Sequence, residues 1–142
     1  MTPIAHNQPL RVLLVEDDEV DIENVRRAFA ENQPVPELTI ARDGRQALDM
    51  LTSGQVSTDS LMILLDLNMP RMTGIEFLRE LRNSDTLKHL PVVILTTSDA
   101  ERDKVGAYDL NVAGYILKPI TLRDFITTLD TVESYWRLQE FP

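Results

Sequence analysis

Cysteine is absent from this chain of 142 residues, which excludes disulfides, thiol catalysis and thiolate zinc sites and agrees with a cytoplasmic location. Glycine is scarce: the five present, at positions 44, 54, 74, 106 and 114, form no glycine-rich phosphate cradle. Long apolar runs are also missing. The longest, such as Leu61–Leu65 and Val92–Leu95, fall far short of the roughly 20 residues of a membrane span. Met1–Leu10 has neither a basic start nor an apolar stretch, so no signal peptide is expected. Basic residues are the minority, with 14 Lys and Arg against 23 Asp and Glu and a formal charge of −9. That balance argues against a broad grip on nucleic acid, which runs on clustered cations. What is present is a hydrophobic content of 43% in a chain of single-domain length. Such a chain buries about 68–70% of its unfolded surface, so a folded core is expected.

Short apolar runs alternate with helical patterns along the chain. Strands are predicted at Leu10–Val15, Leu38–Ala41, Leu61–Leu65, Pro91–Leu95 and Gly114–Leu117. Between them, Val20, Val25, Ala28 and Phe29 mark a first helix, and Asp43 caps a second carrying Ala47, Leu48 and Leu51. Thr73-Gly74-Ile75-Glu76 and Ser98-Asp99-Ala100-Glu101 read as capping boxes that open two more, the latter running to about Leu110. Thr121 caps a last helix with Leu122, Phe125, Ile126, Leu129, Val132 and Trp136 as its apolar stripe. Five strands alternating with five helices predict an α/β fold, a parallel sheet covered on both faces.

In such sheets ligands bind beyond the carboxyl ends of the strands. Glu16-Asp17-Asp18 follow the first strand, Asp66 the third, Thr96-Thr97-Ser98 the fourth and Lys118-Pro119 the fifth. Asp17 and Asp66 are hard oxygen ligands suited to Mg²⁺, and Glu16 adds a third carboxylate. Three carboxylates are balanced by one Mg²⁺ and the Lys118 ammonium, leaving the loaded site near neutral. A phosphoryl group then adds about −1.5 to −2 of charge, to be met by the metal, Lys118 and nearby donors. An ionised carboxylate can accept that group as nucleophile without a general base. Taken singly, each feature has a plainer explanation: acids at 16–19 complement a helix N-terminus, Asp66 starts a turn, Thr96 ends a strand and Lys118 is solvated. All four at one sheet edge favour a common site.

These residues resemble the receiver domain of response regulators over about Leu10 to Arg137, a domain placed at 9–138 with short tails at 1–8 and 139–142. The resemblance rests on Val12-Leu13-Leu14-Val15-Glu16-Asp17-Asp18, on Asp66-Leu67-Asn68-Met69-Pro70-Arg71-Met72-Thr73-Gly74, on Ile94-Leu95-Thr96 and on Gly114-Tyr115-Ile116-Leu117-Lys118-Pro119. It implies the strand order 2-1-3-4-5, the order of chemotaxis receivers, and a cis Lys118-Pro119 bond. Asp66 is the implied phosphoacceptor and Asp17 a direct Mg²⁺ ligand. Glu16 would reach the metal through water, and Asn68 would lend its backbone carbonyl. Lys118 is the implied phosphoryl contact, with Thr96 and Tyr115 as the switch pair. Two departures stand out. Glu16 replaces the commoner aspartate, and Thr97 occupies a position where a small residue is usual, which implies a narrower route to Asp66.

Within receivers, Arg79–Lys88, Leu95-Thr96-Thr97-Ser98 and Tyr135-Trp136 look like the stand-alone regulators paired with phytochromes. The function implied is a phosphorelay protein that takes its phosphoryl group from a histidine kinase, of phytochrome type, and signals to a downstream protein. It is not an enzyme beyond its own phosphotransfer and dephosphorylation. Six residues follow Trp136, so output is expected through protein contacts. Thr128, Thr131, Tyr135 and Leu138 fall on the side of the last helix away from Leu122, Phe125 and Leu129; Thr128, Tyr135 and Leu138, with Phe141 beside them, are candidates for a homodimer seam, the alternative being that they fold back onto the domain's own helices. The alternative is a receiver-like interaction module that no longer takes phosphate; intact Asp66, Asp17, Thr96 and Lys118 count against it. A flavodoxin-like binder or Asp-based phosphatase fits poorly, since the first lacks its glycines and the second would want an acid at position 68, which is Asn.

Overall fold

The structure is a computed structural model and describes residues 10–32, 35–67, 69, 72–97, 99–107 and 110–128. Five strands, β1 (Arg11–Val15), β2 (Glu37–Ala41), β3 (Leu61–Asp66), β4 (Val92–Thr96) and β5 (Gly114–Leu117), form one parallel sheet. Their order is β2-β1-β3-β4-β5, as the resemblance implies. Helices α1 (Glu19–Ala30), α2 (Gly44–Thr52), α3 (Gly74–Asn83) and α4 (Asp99–Ala107) connect them, and residues 122–128 are helical after β5.

The strands are apolar throughout because both faces are covered. Leu13, Val15, Ile63, Leu65, Val92 and Ile94 face a core shared with α2, α3 and Val105 of α4. Their alternates Val12, Leu14, Met62, Leu64, Val93 and Leu95 face α1 and Phe125 of the last helix. On that second face the Phe29 and Phe125 rings lie 4.1 Å apart, centroid to centroid, and tie α1 to the last helix.

Local chemistry sets the helix starts. Asp18 caps α1 through the N–H groups of Val20 and Asp21, and Asp43 caps α2 through that of Gln46. Thr73 and Glu76 form the expected capping box at α3. Thr121 Oγ1 accepts from Asp124 N at 3.2 Å, opening the last helix. Ser98, and the side chain of Glu101 with it, lie outside the described residues; α4 is described as far as Ala107, residues 108 and 109 lie outside the described residues, and Leu110 is not helical.

Three expectations about helix faces need correction. Val20 is 69% exposed, and the buried stripe of α1 is Ile22, Val25, Ala28 and Phe29. Val20 and Val25 are five positions apart, which turns them about 140° from one another on a helix. In the last helix Ile126 is exposed while Thr128 is buried. Phe125 centres the core face, so Thr128, three residues on, lies about 60° from it and Ile126 about 100° away. Thr128 is therefore turned inward, with its hydroxyl donating to Asp124 O at 2.7 Å, and is no part of an outward seam. The other seam candidates, Tyr135, Leu138 and Phe141, lie outside the described residues, as do Leu129, Val132 and Trp136.

Candidate functional site: a carboxylate cluster at the sheet edge

Strand register assembles the site before any side chain is considered. Val15 pairs with Leu65, so the next residues, Glu16 and Asp66, come abreast. Asp66 pairs with Leu95, and Thr96 with Leu117, so Thr96 and Lys118 each follow one residue beyond their neighbour. Main-chain bonds continue the ladder past the strands, from Glu16 N to Ala41 O and from Lys118 N to Thr96 O, both at 2.9 Å. Lys118 is joined to Pro119 by a cis peptide bond.

Glu16 and Asp66 are buried, Asp17 is exposed, and one carboxylate oxygen from each lies within 4.8 Å of the others. Thr96 is buried at the same edge. Tyr115 pairs with Ile94, two residues before Thr96, so side-chain alternation puts Tyr115 and Thr96 on the same sheet face on adjacent strands. Tyr115 is half-buried and packs with Leu110 and Val112 against the first core. Thr97 is exposed. Asn68, the expected backbone-carbonyl ligand, lies outside the described residues.

Lys118 is the hub. Its ammonium donates to Asp66 Oδ1 at 3.0 Å and to Asp21 Oδ2 at 2.9 Å. It also stands 2.9 Å from Glu16 Oε1, a charge contact without hydrogen-bond geometry, which leaves that buried oxygen with no hydrogen-bond partner. Burial alone would lower the Lys118 pKa. Its contacts with Asp21, Glu16 and Asp66 outweigh it and hold the ammonium charged well above its ordinary value. Burial raises Glu16 from 4.5 to about 7, with Asp66 adding repulsion and Lys118 opposing both. Its second oxygen accepts from Asp18 N at 3.2 Å.

Sequence reasoning did not find Asp21. Its signal was present: Asp21 stands four residues after Asp17, about one helical turn, and the Asp18 cap fixes its backbone by accepting from Asp21 N at 3.1 Å. Asp18 itself has the plainer role, since its carboxylate is engaged as the helix cap.

This donor set suits a divalent cation. Three carboxylates converge, all hard oxygen ligands, and one buried carboxylate oxygen has no hydrogen-bond donor. The sheet order, the acids and the ammonium then meet a profile of the response regulator receiver domain, which matches residues 12–130. The chain belongs to the response regulator receiver family. The response regulator Rcp1 of Synechocystis sp. is 38% identical over 133 residues, 92% of this chain and 90% of that protein. Among solved structures, the bacteriophytochrome response regulator RtBRR superposes with a TM-score of 0.79 at 35% identity, over 88% of this chain and 78% of the other. The Mn²⁺-bound form of Rcp1 superposes with a TM-score of 0.67 at 37% identity, over 90% of this chain and 94% of the other. Receiver domains of this family bind divalent metal and act in two-component signalling. Among the described residues no helix is long and apolar enough to cross a membrane.

Proposed function

We propose that the chain accepts a phosphoryl group on Asp66 from the phosphohistidine of a sensor kinase, with Mg²⁺ held by Asp17 and Asp66, by Glu16 through water, and by the Asn68 carbonyl. The observation that carries this is the Lys118 ammonium 3.0 Å from Asp66 Oδ1, at the centre of a buried acidic edge. Lys118 holds Asp66 in place through that bond, and it stands ready to meet the incoming phosphoryl oxygens. In the transfer a bond forms between an Asp66 carboxylate oxygen and phosphorus while the phosphorus–nitrogen bond of phosphohistidine breaks. The electron pair leaves with the imidazole nitrogen, which takes up a proton. The metal, when bound, supplies positive charge that offsets the phosphoryl oxygens.

Once Asp66 carries phosphate, Thr96 turns its hydroxyl toward the new acceptor oxygens and Tyr115 rotates into the space released on the same sheet face. Moving a two-state equilibrium from 1:99 to 99:1 takes about 5.5 kcal/mol. A few hydrogen bonds to charged groups, at about 1.5–3 kcal/mol each, are enough. The output is altered contact with a downstream protein. The kinase is of phytochrome type, a reading supported by the likeness to a bacteriophytochrome response regulator. The test is label transfer from a purified, autophosphorylated phytochrome-type histidine kinase. Label is expected on the wild-type chain and none on Asp66→Asn; label retained by Asp66→Asn contradicts the assignment.

A further inference from the structure

The near-neutral loaded site expected from three carboxylates does not hold once Asp21 is counted. Asp21 is the fourth acid in reach of the single ammonium, and its side chain is 24% exposed against 13% for Lys118. An ammonium has three donors, and two of them go to Asp21 Oδ2 and Asp66 Oδ1. Asp21 is held in place from behind, because its own N–H bonds the Asp18 cap in the first turn of α1. Nothing about Asp21 is needed to ligate metal or accept phosphate. Its geometry is aimed at Lys118.

We infer that Asp21 is a positioning residue for the phosphotransfer site: it fixes the Lys118 ammonium between α1 and Asp66 and holds part of its charge away from the phosphoryl group. This rests on the phosphoacceptor reading above. Two opposite consequences follow from one charge. The extra carboxylate strengthens attraction for a divalent cation, and it weakens the site's hold on an anionic group at Asp66. Asp21 thus sets the balance between metal loading and phosphoryl retention.

The test is equilibrium binding of Mg²⁺, and of beryllofluoride at saturating Mg²⁺, by calorimetry on the full chain and on Asp21→Asn and Asp21→Glu. Beryllofluoride adds to a carboxylate as phosphoryl does, without bond-making kinetics. Asp21→Asn is expected to weaken Mg²⁺ binding several-fold and to tighten beryllofluoride binding several-fold. Asp21→Glu keeps the charge and is expected to return both toward wild type, which a merely structural role would not require. An Asp21→Asn protein in which either affinity is unmoved, or in which beryllofluoride binding weakens, overturns the inference. Wild-type protein that takes Mg²⁺ but no beryllofluoride overturns the phosphoacceptor reading instead.

Discussion

Glu16 shows how one side chain couples burial to ligand binding. Its carboxyl is raised from 4.5 to about 7 chiefly by burial, so the folded state holds that proton more tightly than the unfolded chain. The sign follows from linkage: without divalent cation, Glu16 costs the fold nothing below about 4.5, and an increasing amount as pH rises from there through about 7. Wild-type protein is therefore expected to lose stability over that range, while Glu16→Gln, compared by urea midpoint, loses less. Added Mg²⁺ should flatten the wild-type slope. A wild-type slope no steeper than that of Glu16→Gln contradicts this account. Asp21 and Val20 mark the limit of reading at this scale. Both lie in the first turn of α1, and their one-dimensional signals, an acid among acids and an apolar residue in an apolar pattern, do not say which way each side chain turns. The clustering of Glu16, Asp17 and Asp66 was legible because strand ends fix their position; Asp21 required the helix phase relative to Lys118 on a distant strand.

At the scale of elements, α3 deserves most weight because it supports Asp66 directly. A Cβ added to Gly74 would sit 2.5 Å from the Asp66 carbonyl oxygen and 2.6 Å from Leu67 Cα, both backbone atoms that cannot swing aside. The glycine lets the α3 start close onto the end of β3. At Gly44 the nearest atom, at 2.8 Å, is Met72 Cγ on a flexible side chain. Gly74→Ala is thus expected to destabilise by about 1–3 kcal/mol, the usual cost of overpacking, and to impair phosphorylation at Asp66. Gly44→Ala should be milder in both respects; thermal melts and phosphorylation assays on the pair check the order. The α3 capping box makes a separate prediction. Thr73→Ala should cost about 1 kcal/mol in denaturant unfolding. Glu76 is held below the ordinary carboxylate range, chiefly by its bond from the Thr73 backbone. Its contribution is therefore present above that range and disappears as pH falls through its lowered value. Thr73, Asp43 and Thr121 were legible as caps since capping is local.

For the whole molecule, the fold follows from alternation of strands and helices, and the site follows from strand order. Parallel strands in the order β2-β1-β3-β4-β5 bring residues 16, 66, 96 and 118 to one edge although they span most of the chain. The two-sided core was visible in the uninterrupted apolar runs of β3 and β4. The stripe of the last helix was not, because Ile126 and Thr128 exchange the places that hydropathy alone assigns them; the phase set by Phe125 decides. Phe125 is also a long-range strut. It is fully buried and stacked near Phe29, so Phe125→Ala is expected to cost about 3–5 kcal/mol and to loosen the last helix from α1. The urea midpoint of that variant measures it, and a change under about 0.5 kcal/mol, the range of an ordinary surface substitution, would contradict the packing described.

Phosphoryl transfer to Asp66 in a divalent metal site governed by Lys118 underlies the proposed signalling role. Intact mass after incubation with a small-molecule phosphodonor measures it most directly, with Mg²⁺ and after chelation, on wild type and Asp66→Asn. One phosphoryl adduct is expected on wild type, requiring Mg²⁺ and absent from Asp66→Asn. An adduct that persists in Asp66→Asn, or one that forms equally without metal, would contradict it.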